Sequence, residues 1–176
     1  QPWLTPNAVE AKAQLCHDGE KLYVRMTAKE EKIRAELTGV LEQVCNDSCL
    51  EFFLMTVDTP NYFNFEINPN GCLSIQFGPS KPDRIEIVRA DAGEYFNIHR
   101  NRTGDGWEVF YQIPLAFFRL FFPDFQFDGE MAANFYKCGN KTVHKHYLSW
   151  SPIDLEEPNF HCPEYFGVIR FAKPEQ

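Results

Sequence analysis

An antiparallel β-sandwich, or a closely related barrel, is the fold that this sequence of 176 residues predicts. Three observations carry that expectation. Short runs of alternating apolar and polar residues recur along the chain, and clusters of turn-forming residues separate them. Aromatic residues reach 15%, with 17 Phe, and bulky planar side chains favour sheet packing. No helical periodicity alternates with the runs, so parallel βαβ units are not expected. The reading is all-β, with about ten or more strands and one or two short helices.

Val9, Ala11, Ala13 and Leu15 alternate with Glu10, Lys12 and Gln14. After the turn chemistry of His17-Asp18-Gly19-Glu20, the alternation resumes at Leu22, Val24 and Met26, which predicts a hairpin. Residues 29–41 are charged with irregular apolar spacing and fit one short helix or a long loop. Strands are predicted over residues 50–57, 62–68, 72–77, 84–88, 95–100 and 107–113. Asp58-Thr59-Pro60-Asn61, Asn68-Pro69-Asn70-Gly71 and Gly104-Asp105-Gly106 supply turns between them. Pro114 suits the first turn of a helix, so a short helix is expected over 114–118. Further strands are expected over 131–137, 145–150 and 166–171. Phe52, Leu54, Phe63, Phe65, Ile67, Val109, Tyr111, Ile113 and Ile169 are the expected core. A hydrophobic content of 44% at this length suits one domain over residues 1–176.

The formal net charge is -8 and the basic residues are scattered singly. A nucleic acid or an anionic membrane would meet repulsion over most of the surface, whereas a neutral ligand would not. No run approaches the ~20 apolar residues of a membrane span. The start, Gln1-Pro2-Trp3-Leu4, lacks a leader pattern. The six Cys show no paired zinc-ribbon spacing and read as small core residues of a reduced protein rather than as disulfides. The compartment, extracellular or cytoplasmic, is left open.

The candidate site rests on strand alternation. In residues 62–68, Phe63, Phe65 and Ile67 share one face while Asn64, Glu66 and Asn68 share the other. A row of amide and carboxylate groups offers the paired hydrogen bonds that vicinal sugar hydroxyls exchange; the alternative is a solvated outer face. Glu51 sits in the apolar run Leu50-Glu51-Phe52-Phe53-Leu54, where a carboxylate needs a partner or a ligand. Its alternative is a rim position on an edge strand. Trp150, at a strand end before a polar loop, is either a platform for the C–H face of a pyranose or a core residue. Trp107 reads as packing.

These residues lie in motifs that resemble the family 9 carbohydrate-binding modules. The run Asp47-Ser48-Cys49-Leu50-Glu51-Phe52-Phe53 comes first, followed by Phe65-Glu66-Ile67-Asn68-Pro69-Asn70-Gly71. Gly106-Trp107 then leads to Ile113-Pro114, and Ser149-Trp150-Ser151-Pro152 precedes Phe160-His161-Cys162-Pro163-Glu164-Tyr165-Phe166-Gly167. They span residues 47–171. The resemblance implies a jelly-roll-like sandwich, often appended to xylanases, that holds a terminal sugar between two aromatic rings with help from carboxylate and amide side chains. It implies a saccharide or polysaccharide partner such as xylan, and an attached or associated glycoside hydrolase. It assigns Glu51, Glu66 and Asn68 to ligand binding and Trp150 to stacking, and the strand alternation adds Asn64 to the ligand-binding face. Val44-Cys45-Asn46 stands where a second Trp is expected, and Tyr62, Tyr136 or Tyr147 could replace it.

Other chemistries have weaker support. Glu51 and Glu66 could form the carboxylate pair of a glycosidase only at a fixed separation. Met26, Met55 and Met131 could ligate haem, but no telling spacing pairs them with a His. His144 and His146 with His161 or Cys162 could bind zinc, against the plainer reading of a solvated polar face. Asp105 and Asp124 could contribute to a structural calcium site. The expectation is no redox cofactor, no catalysis, and structural calcium at most. A sandwich that has lost its sugar site and serves protein contacts is the competing class.

Overall fold

The computed structural model describes Trp3, residues 9–56 and residues 59–172. Val57 and Asp58, the end of one predicted strand and the start of a predicted turn, lie outside the described residues, as does most of the chain before Val9. The strands are β1 (Glu10–His17), β2 (Lys21–Lys29), β3 (Cys49–Met55), β4 (Tyr62–Ile67), β5 (Leu73–Gly78), β6 (Ile85–Glu86), β7 (His99–Arg102), β8 (Gly106–Pro114), β9 (Gly129–Cys138), β10 (Tyr147–Ser149) and β11 (Gly167–Phe171). Two short helices, α1 (Ala92–Tyr95) and α2 (Leu115–Arg119), complete them with two single 3-10 turns. One sheet runs β1-β2-β8-β7 and the other β10-β9-β3-β4-β5-β6, with β11 also on β9. Every pairing is antiparallel. The fold is the expected all-β sandwich.

Local chemistry explains the elements. Asp18 accepts hydrogen bonds from the amides of Glu20 (2.9 Å) and Lys21 (2.8 Å), and Gly19 at φ +91 closes the turn that fixes the β1–β2 register. Between the sheets, Leu22, Val24, Met26 and Ala28 of β2 and Trp107, Val109, Tyr111 and Ile113 of β8 face Leu50, Phe52 and Leu54 of β3 and Phe63, Phe65 and Ile67 of β4. All of these are buried. Of the predicted core residues only Ile169 stays half-buried, because β11 lies at the margin of its sheet.

Of the two alternatives for residues 29–41, the loop is the one found, with no helix over residues 30–41. Several boundaries differ from expectation. Residues 95–100 are not a continuous strand: Tyr95 ends α1, Phe96 is buried against Phe65 and Phe117, and Asn97 at φ 46 turns the chain into β7. Residues 84–88 reduce to the two exposed positions of β6. Residues 144–146 precede β10 rather than belonging to it. Part of the outer face of the second sheet is covered rather than solvated. Trp3, Val44, Phe53, Tyr62, Tyr136, Ile153 and Phe160 form a second apolar cluster there, beneath residues 153–162.

Candidate functional site

β3 lies between β9 and β4, so Glu51 is a central-strand residue and not a rim position. Its cross-strand partner on β4 is Glu66, and both carboxyls project onto the outer face, opposite to Phe52 and Phe65. Asn64 and Gln76 lie on the same face, one step along β4 and across on β5. Asn64 donates from Nδ2 to Glu66 Oε1 (2.7 Å) and to Gln76 Oε1. Arg84, from the loop before β6, donates to Asn64 Oδ1 (3.0 Å) and Gln76 Oε1 (3.1 Å). Glu51, Glu66, Gln76 and Arg84 floor a cavity of about 490 Å³, with Asn64 beneath them.

The walls come from loops. Leu41, Glu42 and Cys45 form one rim, Lys81 and Glu86 another, and Asn159, Phe160 and His161 a third. Tyr62 Oη lies 2.9 Å from His161 Nδ1, and Arg84 Nη1 approaches the same nitrogen at 3.5 Å. Arginine only donates, so Nδ1 accepts and the ring proton sits on Nε2. Burial, reinforced by the positive charges of Arg84 and Lys81, pushes the His161 imidazole down to about 3, which keeps it neutral. Phe160 stacks on Tyr136 at 4.1 Å and is buried. The rings at the cavity are thus Tyr147, Phe160 and His161, with no indole.

Both floor carboxyls are buried, Glu51 at 3% and Glu66 at 7% exposure. Burial pushes each above the ordinary carboxyl range; the charge of Glu66 adds to the rise at Glu51, and Arg84 offsets part of it at Glu66. Burial likewise pushes the Cys45 thiol up to about 12.

The five sequence-selected residues separate into groups. Glu51 and Glu66 meet in the cavity, and Asn64 braces Glu66 from behind. Asn68 is fully buried in its own turn, where Oδ1 accepts from the amides of Asn70 (3.1 Å) and Cys72 (2.9 Å) and Nδ2 donates to Leu37 O and Asp47 Oδ2. Asp47 Oδ2 also accepts from the amides of Glu36 and Leu37. Asn68 therefore holds the loop that carries Leu41 and Glu42 to the rim, and does not itself face the cavity. Trp150 does not join Glu51. It is 52% exposed and packs edge-on against Phe135 at 5.7 Å, and Phe135 stacks on the core residue Phe52. The indole also lies over Gly167, where a Cβ would come within 2.6 Å of the ring. Trp150 thus sits at the open edge between the two sheets, beside a separate groove of about 810 Å³.

Sequence reasoning missed Gln76 and Arg84, and considered His161 only as a zinc ligand. The alternation of Ser74 and Gln76 against Leu73, Ile75 and Phe77 held the signal for Gln76, whereas Arg84 and His161 arrive from loops. His146, read with His144 as a solvated pair, is buried: Nδ1 donates to His144 O (2.6 Å), leaving Nε2 to accept from Lys137 Nζ (2.9 Å). It is not brought together with His161, which lies against Tyr62 and Arg84. All six Cys are free thiols, but only Cys49, Cys138 and Cys162 are buried; Cys16, on the edge strand β1, is exposed.

A sandwich with a polar cavity on one sheet face is the architecture of a small-ligand binding module. The chain belongs to carbohydrate-binding family 9, whose sequence model matches residues 5–171. Among solved structures it is similar to a candidate carbohydrate-binding protein from Bacteroides uniformis, at 35% identity and a TM-score of 0.81, over 93% of this chain and 79% of the other. Family 9 modules from Caldicellulosiruptor kristjanssonii, solved with glucose and with cellotriose, share the fold at 15% identity and a TM-score of 0.65. Those alignments cover 97% of this chain and 81% and 79% of the modules. No curated protein matches the chain significantly.

Proposed function

We propose that this chain binds a saccharide end without cleaving it, in the cavity floored by Glu51, Glu66, Gln76 and Arg84, with Asn64 bracing Glu66. One observation carries the reading: on a family 9 sandwich, acceptors and donors from adjacent strands converge on one concave face. That arrangement suits vicinal hydroxyls, each of which both gives and accepts a hydrogen bond. The complexes of the Caldicellulosiruptor modules suggest a glucose-type ring. The family resemblance adds polysaccharide partners such as xylan and an associated glycoside hydrolase.

Hydrolysis by this chain is not expected. Glu51 and Glu66 are cross-strand neighbours on the floor, whereas a glycosidase places its two carboxyls on either side of the scissile bond. With no exposed indole at the cavity, affinity should lie in the micromolar to millimolar range, about 4 to 8 kcal/mol. Calorimetry or ligand-observed NMR with glucose, cellotriose and xylo-oligosaccharides tests this. Binding that weakens at least tenfold in Glu51→Ala and Arg84→Ala, in folded protein, supports the assignment. Unchanged affinity in both variants removes the site, and release of new reducing ends from xylan removes the non-catalytic reading.

A further inference from the structure

Glu51 presents an electrostatic problem that saccharide hydroxyls alone do not solve. Its carboxyl is 3% exposed, beside a second buried carboxyl. The weak Cys138 thiol beside it donates to Cys45 O at 3.5 Å. The guanidinium of Arg84 is engaged with Asn64 and Gln76. The ammonium of Lys137 points to the other face of the sheet, where it pairs with Glu30 at 3.2 Å. Two adjacent, largely buried carboxylates do not readily both ionise without a proton or a cation between them. The third group is Cys49, two residues before Glu51 on the same face of β3. One donor atom from each of Cys49, Glu51 and Glu66 lies within 4.8 Å of the other two.

We propose that Cys49, Glu51 and Glu66 form a binding site for a zinc-class divalent cation on the floor of the cavity. A thiolate with two carboxylates is a donor set for a borderline-soft metal, and a hard cation such as calcium would be served by oxygen alone. Tetrahedral bonds of about 2.0 to 2.3 Å place donor atoms roughly 3.3 to 3.8 Å apart, so donors within 4.8 Å of one another need to contract by at most about 1.5 Å. Three protein donors leave one position open toward the cavity, for water or a ligand hydroxyl. Loading releases the Cys49 thiol proton, and any carboxyl proton, to solvent, so zinc affinity rises with pH. The metal site does not depend on the saccharide reading.

The test uses the full chain, stripped with a chelator and returned to chelator-free buffer. Titration with zinc sulfate by calorimetry should show one equivalent bound per chain. Cobalt(II) should give visible tetrahedral bands together with a thiolate-to-cobalt charge-transfer band. Cys49→Ser should abolish that charge-transfer band and weaken zinc by at least tenfold, and Glu51→Gln should weaken zinc likewise. Cys16→Ser, on the exposed edge strand, should change nothing. Absence of stoichiometric zinc binding in the wild-type chain overturns the proposal without recourse to any variant. A charge-transfer band that survives Cys49→Ser overturns it as well. Glucose titrations of zinc-loaded and zinc-free protein separate the two readings: sugar binding without zinc binding ends the metal site alone, and zinc binding without sugar binding ends the saccharide assignment alone.

Discussion

At the scale of single residues, the site is a set of groups held by one another. Arg84 braces Asn64 and Gln76, and Asn64 braces Glu66. Arg84→Ala should therefore relax the floor as well as remove a charge, and Arg84→Lys should recover little affinity, because an ammonium lacks the planar fork that spans both amides. Trp150→Ala should leave glucose affinity unchanged within error in the same titration, since the indole lies at the sheet edge. A tenfold loss there would place the saccharide in the groove beside Trp150. His161 gives a pH signature. Its folded-state value of about 3 lies below its unfolded value near 6.5, so the unfolded chain binds more protons between those limits. The contribution of this residue is fully present above about pH 6.5 and is lost as pH falls toward 3. Thermal midpoints measured from pH 7 to pH 4 should fall, and fall less steeply in His161→Gln; equal slopes would remove His161 as the cause. What was legible at this scale was the facing of β4: Phe63 and Phe65 inward, Asn64 and Glu66 outward. Asn68 obeys the same alternation, yet the turn that begins there recruits its amide for backbone groups, which alternation alone does not reveal.

At the scale of elements, the join between the 30–48 loop and the sheets rests on a buried polar cluster. Glu30 accepts from the Trp107 indole (2.5 Å) and the Ser48 hydroxyl (3.0 Å) and pairs with Lys137, which lies across the sandwich on β9. Lys137 is fully buried and Glu30 is 3% exposed. Removing one partner strands the other charge, so Lys137→Ala should cost about 3 to 5 kcal/mol in urea unfolding, whereas the paired replacement Glu30→Gln with Lys137→Met should cost much less. Equal losses in both would mean that packing, and not charge, dominates. Nothing in the local sequence marks Lys137 as buried, because an isolated Lys in Phe135-Tyr136-Lys137-Cys138 reads as the solvent side of a strand. The strands themselves were legible wherever alternation was long, as in β2, β4 and β8. They were overestimated where a neighbouring ring set the backbone instead, as at Phe96, or where only an edge was left to pair, as at β6.

At the scale of the whole molecule, the sequence showed a two-sheet sandwich but not that part of its second sheet is covered on both faces. The cover is made by residues 153–162 and Trp3, whose indole donates to Leu155 O at 3.0 Å. Such contacts join positions more than a hundred residues apart, beyond the reach of any periodicity. Phe53, on the covered outer face, stacks with Tyr62 and meets Tyr136 edge-on, so Phe53→Ala should destabilise by about 3 to 5 kcal/mol, as a core Phe does and a surface Phe would not. β3 is the strand most affected by this double cover. Six of its seven residues are buried, and its neighbours β9 and β4 satisfy both of its edges. Its amides can meet deuterons only when large parts of the molecule open together, so in native-state hydrogen exchange they should be the slowest set, with those of β1 among the fastest strand amides. Because Glu51 hangs from that slow strand, a saccharide would encounter a floor already rigid before it arrives. Occupancy should therefore change the exchange of the rim segments at 41–45 and 158–161 far more than that of the strand beneath them.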